Sequence, residues 1–279
     1  MRGSWLLLLA ICAVPAAARA EGRSIASGAG TAIVGGEPTD ASEYPATGAL
    51  TAGMRLRCTA TLIAPDVVLT AAHCLEPAVF GYLGFTLDPD LSDGAQGVIK
   101  ALVVHPHPDF DNDTAAFLDL AERNDIGIMI LERPVEDLPP EQIDLAAGVA
   151  TGTELDLCGY GRNSWGELMA GTKRDARVGI ARTEEHEVAT TAEGPQPCSG
   201  DSGGPLYADT PEGRTIAAVI SRAVGASRMC DTGAIATRVA PHAPWIAEAS
   251  ADRDVGCAGA VFLPFAWPRL RRLRRRPRS

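Results

Sequence analysis

Basic residues are scarce in the body of this 279-residue chain. Residues 33–268 hold 15 Lys and Arg against 34 Asp and Glu, a net charge of −19, whereas seven arginines crowd into residues 269–278. A surface this acidic repels the phosphate backbone, so we expect no nucleic-acid partner. The negative charge mainly favours solubility.

Long apolar runs are also missing. The apolar stretch at residues 5–14 is too short to span a bilayer. It follows Arg2 and precedes an Ala-Arg-Ala cleavage pattern at residues 18–20, which together predict an export signal over residues 1–20. Residues 21–32 are small and polar and are interpreted as a pro-segment. We therefore expect a secreted, cell-surface or periplasmic protein.

Metal-binding cysteine patterns are absent as well. Six cysteines remain beyond the export signal, and no two of them form a C-x-x-C pair. Since no His/Cys cluster has zinc spacing, we expect no structural metal. Asp88, Asp90 and Asp93 lie in the loop-like stretch 75–96. A calcium loop remains open there, although spaced surface acids are the favoured interpretation.

The sequence contains no repeat and no long amphipathic helix before its last third. Short strand-like segments dominate, and one helix is predicted at about residues 241–251. An acidic segment with three prolines at about residues 133–148 is typical of a linker between two halves. The fold class is therefore predicted to be all-β. The predicted strands lie at residues 55–64, 66–70, 98–104, 126–131, 153–161, within 173–191, 214–224 and 234–239.

The segment Gly-Asp-Ser-Gly-Gly-Pro at residues 200–205 is the strongest chemical signal. Glycines on both sides leave Ser202 exposed and let the backbone turn sharply. The N–H groups of Gly200 and Ser202 can then face a developing oxyanion. The Ser202 hydroxyl becomes a nucleophile only with a base in reach.

Two upstream segments offer that base and its orienting acid. His73 follows small residues in Thr-Ala-Ala-His-Cys at residues 70–74, and Asp125 stands at the mouth of a buried apolar run. A carboxylate that enters a core needs a hydrogen-bond partner, which an imidazole N–H supplies. His73 would take the proton of Ser202 and Asp125 would orient the imidazole. A structural histidine and a turn-capping aspartate are the alternatives.

These segments, together with Ile-Val-Gly-Gly at residues 33–36, resemble the trypsin/chymotrypsin family of serine endopeptidases. The resemblance covers about residues 33–250. It implies two antiparallel six-stranded β-barrels, at about residues 33–135 and 149–240, closed by the C-terminal helix. It also implies a monomeric, cofactor-free peptidase that forms an acyl-enzyme on peptide or protein substrates, with proteinaceous inhibitors as a further class of partner.

The resemblance assigns further residues to the site. It implies the disulfides Cys58–Cys74 and Cys198–Cys230. In the family, cleavage before the Ile-Val-Gly-Gly segment frees an ammonium that pairs with the acid preceding the nucleophile, here Ile33 with Asp201. The bond to be cut is Ala32–Ile33.

The primary specificity pocket follows from the same resemblance. Its base would be the neutral Gln196, which predicts cleavage after uncharged, small to medium residues, because a buried cation needs a counter-charge. Asp231 is the competing candidate for the pocket floor and would favour basic substrates. The other substrate-binding residues implied are Ser221, which also hydrogen-bonds the triad acid in the family, and Arg222, Ala223 and Ala234.

Several features depart from the family pattern. Arg222 and Ala223 stand where the family has Trp-Gly, and Cys158 is displaced from a usual cysteine position. Cys158 is interpreted as a buried free thiol or as the partner of Cys257. In the tail, at residues 251–279, Cys257, a short apolar stretch and the arginine cluster resemble sorting tags of some exported bacterial proteins, notably of myxobacteria. Transient membrane contact and a solvated basic tail are both open there.

Two other functions compete with the peptidase. A non-catalytic binding homologue on the same fold is the main alternative, although such proteins usually lose a triad residue. An α/β-hydrolase esterase is disfavoured, because that fold places the serine before the acid and the histidine in the chain and continues it into a helix. Here Pro205 follows Ser202 closely, and the candidate acid and base both precede it.

Overall fold

The computed structural model describes residues 33–40, 42–76, 82–112, 119–145, 148–163, 171–211, 213–225 and 230–254. The predicted export signal and pro-segment lie outside the described residues. So does the tail from residue 255 onward, with Cys257.

The first barrel is a closed antiparallel sheet in the order β2-β3-β4-β7-β6-β5. Every residue of β4 and β7 is buried, which explains the continuous apolar runs of these two segments. Leu62, Val68, Phe85 and Ile128 are among the side chains that fill its interior. The strands are β2 (Thr47–Ala52), β3 (Arg55–Ala64), β4 (Val67–Thr70), β5 (Leu83–Thr86), β6 (Ile99–Pro106) and β7 (Gly127–Leu131).

The second barrel follows the order β10-β11-β14-β13-β12-β9, and pairing of β9 with β10 closes it. Two short strands join this sheet: β1 pairs with β10, and β8 runs parallel to β13. The two six-stranded barrels confirm the predicted fold class. The remaining strands are β1 (Glu37–Pro38), β8 (Gln142–Ile143), β9 (Glu154–Gly159), β10 (Arg174–Thr183), β11 (Glu187–Thr190), β12 (Pro205–Thr210), β13 (Gly213–Ala223) and β14 (Ala234–Arg238).

The described part of the chain ends shortly after a short helix, as predicted. A 3-10 turn at Ala240–His242 leads into α1 (Ala243–Ala251). Ile246 and Ala249 are its buried residues and join the core of the first barrel, so the helix fastens the C-terminal end of the second half to the first. No helix among the described residues is long and apolar enough to cross a membrane.

The start of the family-like region differs from the sequence-based domain boundary. The sequence-based boundary places residues 33–38 in the first barrel, but the structure places them on the second. Ile33 is buried in the second core, and Val34 forms a β-bridge with Gln196. Hydrophobic burial and two backbone hydrogen bonds at Val34 therefore bring the Ile33 end close to the serine segment.

Five strands escaped prediction, including β1 and β8, which have only two residues each. The stretch interpreted as a loop contains β5, which has only four residues and a glycine at its second position. β12 begins with Pro205 and continues into Asp209, both disfavoured in strands. The short β2 was also missed.

Candidate active site

The pairing of β4 with β7 brings the candidate base and acid together. Thr70, the last residue of β4, pairs with Gly127, the first of β7. His73 follows in the 3-10 turn Ala72–Leu75, and Asp125 precedes β7 by two residues. Two segments 52 residues apart thus end at one edge of the first barrel.

Asp125 is buried and accepts three hydrogen bonds. Its Oδ1 accepts the His73 backbone N–H at 3.0 Å, and its Oδ2 lies 2.8 Å from His73 Nδ1 and 2.6 Å from Ser221 Oγ. Burial alone would raise the pKa of Asp125, but the bonds from His73 and Ser221 outweigh it and hold that pKa below its ordinary value. A charged Asp125 keeps the proton on Nδ1, which leaves Nε2 free to act as a base.

The serine segment lies against the first barrel. The Thr59 N–H donates to Ser202 O at 2.8 Å, and Thr59 Oγ1 donates to Gly200 O at 2.8 Å. Gly200 has a φ of +105°, which its missing Cβ permits. Within the described residues, the N–H groups of Gly200 and Ser202 find no protein acceptor. The Ser199 carbonyl accepts a hydrogen bond from the Arg162 N–H. Because the Ser199 C=O and the Gly200 N–H belong to one trans peptide unit, the Gly200 N–H points in the opposite direction.

Ser202, Gly200 and His73 line one cleft of about 780 Å³ between the two barrels. No hydrogen bond joins Ser202 Oγ to His73 among the described residues; the His73 Nε2 atom lies 3.5 Å from Cys74 Sγ. Long nucleophile–base distances are common without substrate and shorten in the reacting complex. The arrangement can therefore support nucleophilic attack by Ser202 with His73 as the proton acceptor.

Asp201 is fully buried beneath the serine segment. Its carboxylate accepts the N–H of Gly161 at 2.7 Å and of Cys198 at 2.8 Å. Burial nevertheless raises the pKa of Asp201 to about 7. A Cβ on Gly161 would lie 2.2 Å from Asp201 Oδ2, so only glycine allows this approach.

Both disulfides implied by the resemblance are present. Cys58–Cys74 links β3 to the 3-10 turn that contains His73. Cys198–Cys230 links the serine segment to the residues that precede β14. Cys158 is a buried free thiol whose pKa burial raises to about 12. Its alternative partner, Cys257, is not among the described residues.

The grouping of potential metal ligands in the described part of the chain is Cys58, His73 and Cys74. Its two sulfurs are joined to each other, so it offers no thiolate to a metal. In the acidic loop, Asp88 accepts the N–H groups of Asp90 and Gln96, so its carboxylate is bound within the loop itself.

A second pocket of about 370 Å³ opens beside Ser202 on the β13 side. Ala223 and Ala234 line it, together with Ile220 and Pro197. The described residues contribute no carboxylate to its lining, and Asp231 is not part of it.

Gln196 does not line this pocket, which corrects its predicted place at the pocket base. Its amide nitrogen faces the carbonyls of Thr191, Glu193 and Gly194. Its Oε1 accepts from Gly233 N–H at 2.9 Å. The surrounding backbone thus takes up both polar atoms of this side chain.

Two predicted substrate-binding residues make their polar contacts in the protein interior, although Arg222 also lines the second pocket. Ser221 is buried and its hydroxyl is committed to Asp125. The Arg222 guanidinium turns inward to the carboxylate of Glu187, a residue that sequence reasoning missed. No local pattern marks Glu187, because it reaches Arg222 from β11 across β14.

Comparisons with known proteins agree with this geometry. A family model described as Trypsin matches residues 33–246. Kallikrein-11 of Mus musculus is 31% identical over 238 residues, 79% of this chain and 83% of the relative. Granzyme M of Homo sapiens is 30% identical over 250 residues, 80% and 91% of the two chains. Trypsin of Saccharopolyspora erythraea is 32% identical over 196 residues, which are 62% of this chain and 81% of the relative.

The solved structures show the same fold. The structure of neuropsin, a serine protease of mouse brain, matches with a TM-score of 0.64 at 21% sequence identity. The match covers 78% of this chain and 100% of the neuropsin chain.

Proposed function

Since the chain belongs to the trypsin family of serine proteases, we propose that it is a secreted endopeptidase that forms an acyl-enzyme at Ser202. The observation that carries the proposal is the coupling of His73 to Asp125, in a cleft shared with Ser202 and Gly200. The two disulfides fit an oxidising, extracellular location.

The proposed reaction has two halves. The Ser202 Oγ attacks the peptide carbonyl carbon while His73 Nε2 takes its proton, and the N–H groups of Gly200 and Ser202 stabilise the oxyanion. The C–N bond then breaks, and His73 gives the proton to the leaving amine. Water, deprotonated by His73, next attacks the acyl-enzyme and releases the carboxylic acid and free Ser202.

We place activation at the Ala32–Ile33 bond, after export directed by residues 1–20. Ile33 has a φ of +49°, a region that β-branched residues rarely adopt. Cutting before Ile33 removes the preceding carbonyl carbon that defines this angle and so relieves the strain. The freed ammonium would give the buried Asp201 a counter-charge. A protease with a small-residue preference, or the enzyme itself, would make the cut.

Labelling with a fluorophosphonate tests the proposal, because the probe reacts only with an activated serine. We expect labelling of the mature chain and none for Ser202→Ala. Incubation with a proteome-derived peptide library should yield defined cleavage sites that disappear in Ser202→Ala and His73→Ala. A mature chain, beginning at Ile33, that neither takes the label nor cuts the library would contradict the proposal and favour the non-catalytic homologue.

A further inference from the structure

The cleft beside Ser202 and His73 is basic, although the body of the chain is strongly acidic. Three of the 15 Lys and Arg in residues 33–268 line it, namely Arg55, Arg57 and Arg162. No Asp or Glu of the described residues is part of that lining. The distribution of charge at this cleft is thus opposite to that of the chain as a whole.

Arg57 is held beside His73 by backbone groups rather than by an acid. It is the extra residue of a β-bulge, since Leu50 pairs with Cys58 and Thr51 with Leu56. Bulges re-aim side chains next to active sites. The guanidinium donates to the carbonyls of Cys74 at 2.7 Å and of Glu76 at 3.0 Å, so its positive charge is fixed in place but not neutralised.

Arg55 and Arg162 keep their guanidinium groups unpaired within the described part of the chain. Arg55 is exposed at the start of β3, on the first barrel. Arg162 belongs to the second barrel, where its N–H donates to Ser199 O at 2.9 Å. The two cations therefore approach the cleft from opposite walls.

The acids of the adjoining loop do not line the cleft. Ser92 and Gly94 contribute to the lining, whereas Asp90 and Asp93, which flank Ser92, do not. The Asp90 carboxylate accepts the Ser92 N–H at 3.0 Å and so stays with its own loop.

This cleft lies on the leaving-group side of Ser202. The pocket of Ala223 and Ala234 lies on the other side and suits the side chain of the acyl residue. His73 lines the cleft that contains the three arginines, and it does not line the pocket of Ala223 and Ala234. In the proposed reaction, His73 protonates the departing amine. The residues that follow the scissile bond therefore pass Arg55 and Arg57, and Arg162 lies where this cleft meets the pocket of Ala223 and Ala234.

We propose that this cleft selects substrates that carry Asp or Glu within the first three residues after the scissile bond. The inference rests on the proposed endopeptidase function and names its substrate class. An extended peptide advances about 3.3 Å per residue, so several residues fit a cleft of this size. Guanidinium groups bind carboxylates in a bidentate geometry, and unpaired cations also repel a Lys or Arg at the same place.

The test uses quenched fluorescent peptides with the acyl-side sequence that the wild-type enzyme cuts best in the library. The residues after the scissile bond are alanines, with Asp or Lys placed singly at the first, second or third position. We expect kcat/KM for Asp to exceed that for Lys at least fivefold at one position in 50 mM NaCl. Raising NaCl to 500 mM should reduce the ratio, because salt screens exposed charges.

The double variant Arg55→Gln/Arg162→Gln should bring the Asp/Lys ratio close to one. Arg57 is left unchanged because it also holds the His73 turn. Arg133→Gln, an exposed arginine outside this cleft, is the matched control and should keep the wild-type ratio.

The outcomes separate the two proposals. An Asp/Lys ratio of kcat/KM below fivefold at all three positions overturns the selection of acidic substrates. So does a preference for Lys, which Asp90 and Asp93 could cause. In both cases the peptides are still cut, so the endopeptidase proposal is unaffected. A ratio that persists in the double variant removes the role of these arginines. If no peptide is cut and Ser202 takes no fluorophosphonate, both proposals fall together.

Discussion

The guanidinium of Arg222 and the carboxylate of Glu187 form a bidentate ion pair, with Nη1–Oε1 and Nη2–Oε2 distances of 2.6 and 2.8 Å. Both side chains are almost fully buried, at 5% and 1% exposure. Arg222 Nη1 also lies 3.3 Å from Ser221 Oγ, the donor to Asp125. Through Ser221, the pair therefore helps to hold Asp125 of the candidate triad in place.

Breaking this pair should be costly. Glu187→Gln leaves the Arg222 cation buried without its counter-charge, and we expect the free energy of unfolding to fall by about 3–5 kcal/mol. Urea unfolding of the Ser202→Ala background measures the change without self-digestion. The double variant Arg222→Met/Glu187→Met should recover much of the loss, since both charges leave together. Equal losses in the single and double variants would show that the pairing is not what stabilises this region.

Both disulfide predictions are confirmed, and the candidate triad could be named from the sequence, because the determinants of both are short and local. His73, Asp125 and Ser202 each lie in a segment of a few residues whose chemistry is visible without the fold. The Arg222–Glu187 pair joins β13 to β11 across β14, so it depends on strand order.

Two other features depended on packing that the sequence does not display. Arg162 reaches the cleft only because the barrels meet there. The placement of Gln196 at the pocket base failed because the backbone around residues 191–194 and 233 competes for its amide. Local motifs thus give the reacting groups, whereas the charge and shape around them need the three-dimensional structure.

Cutting the Ala32–Ile33 bond should remove a pH dependence of stability. In the uncut chain, burial raises the pKa of Asp201 to about 7, whereas an unfolded aspartate titrates near 3.9. Between these values the folded state holds a proton that the unfolded state has lost. The free energy of unfolding therefore falls as pH rises from about 4 to 7, by up to about 1.4 kcal/mol per pH unit. An Ile33 ammonium beside Asp201 should lower its pKa and abolish this slope.

Urea unfolding at pH 5 and pH 7 checks this in the Ser202→Ala chain, uncut and cut before Ile33. We expect the cut form to be the more stable at pH 7. Adding Asp201→Asn provides the control, because an amide does not titrate and gains nothing from the ammonium. Equal slopes for the cut and uncut chains would speak against the pairing.

Cys158 should be chemically silent in the folded protein. It is buried and burial raises the pKa of its thiol to about 12, so almost no thiolate forms near neutral pH. In a Cys257→Ser background, a thiol reagent at pH 8 should count no thiol in the native chain and one in denaturant. Cys158→Ala should keep kcat/KM within about twofold. Loss of activity in a folded Cys158→Ala variant would assign this thiol a part in catalysis.

The pocket beside Ser202 predicts cleavage after uncharged, small to medium residues. No carboxylate of the described residues lines it, and Arg162 and Arg222 border it, so a substrate Lys or Arg would enter without a counter-charge. The methyl groups of Ala223 and Ala234 narrow the space for larger side chains. We expect kcat/KM for Ala, Val or Leu before the scissile bond to exceed that for Arg or Lys at least tenfold, about 1.4 kcal/mol.

Widening the pocket should shift this preference toward larger residues. Ala234→Gly removes one methyl group, which is worth roughly 1–3 kcal/mol in an apolar pocket. We expect the Phe/Ala ratio of kcat/KM to rise at least tenfold in a peptide panel that varies only the residue before the scissile bond. Ala176→Gly in β10, outside the pocket, controls for the general effect of a strand glycine. If the wild-type enzyme instead favours Arg or Lys tenfold, an acid such as Asp231 must reach the substrate, and the neutral pocket is wrong.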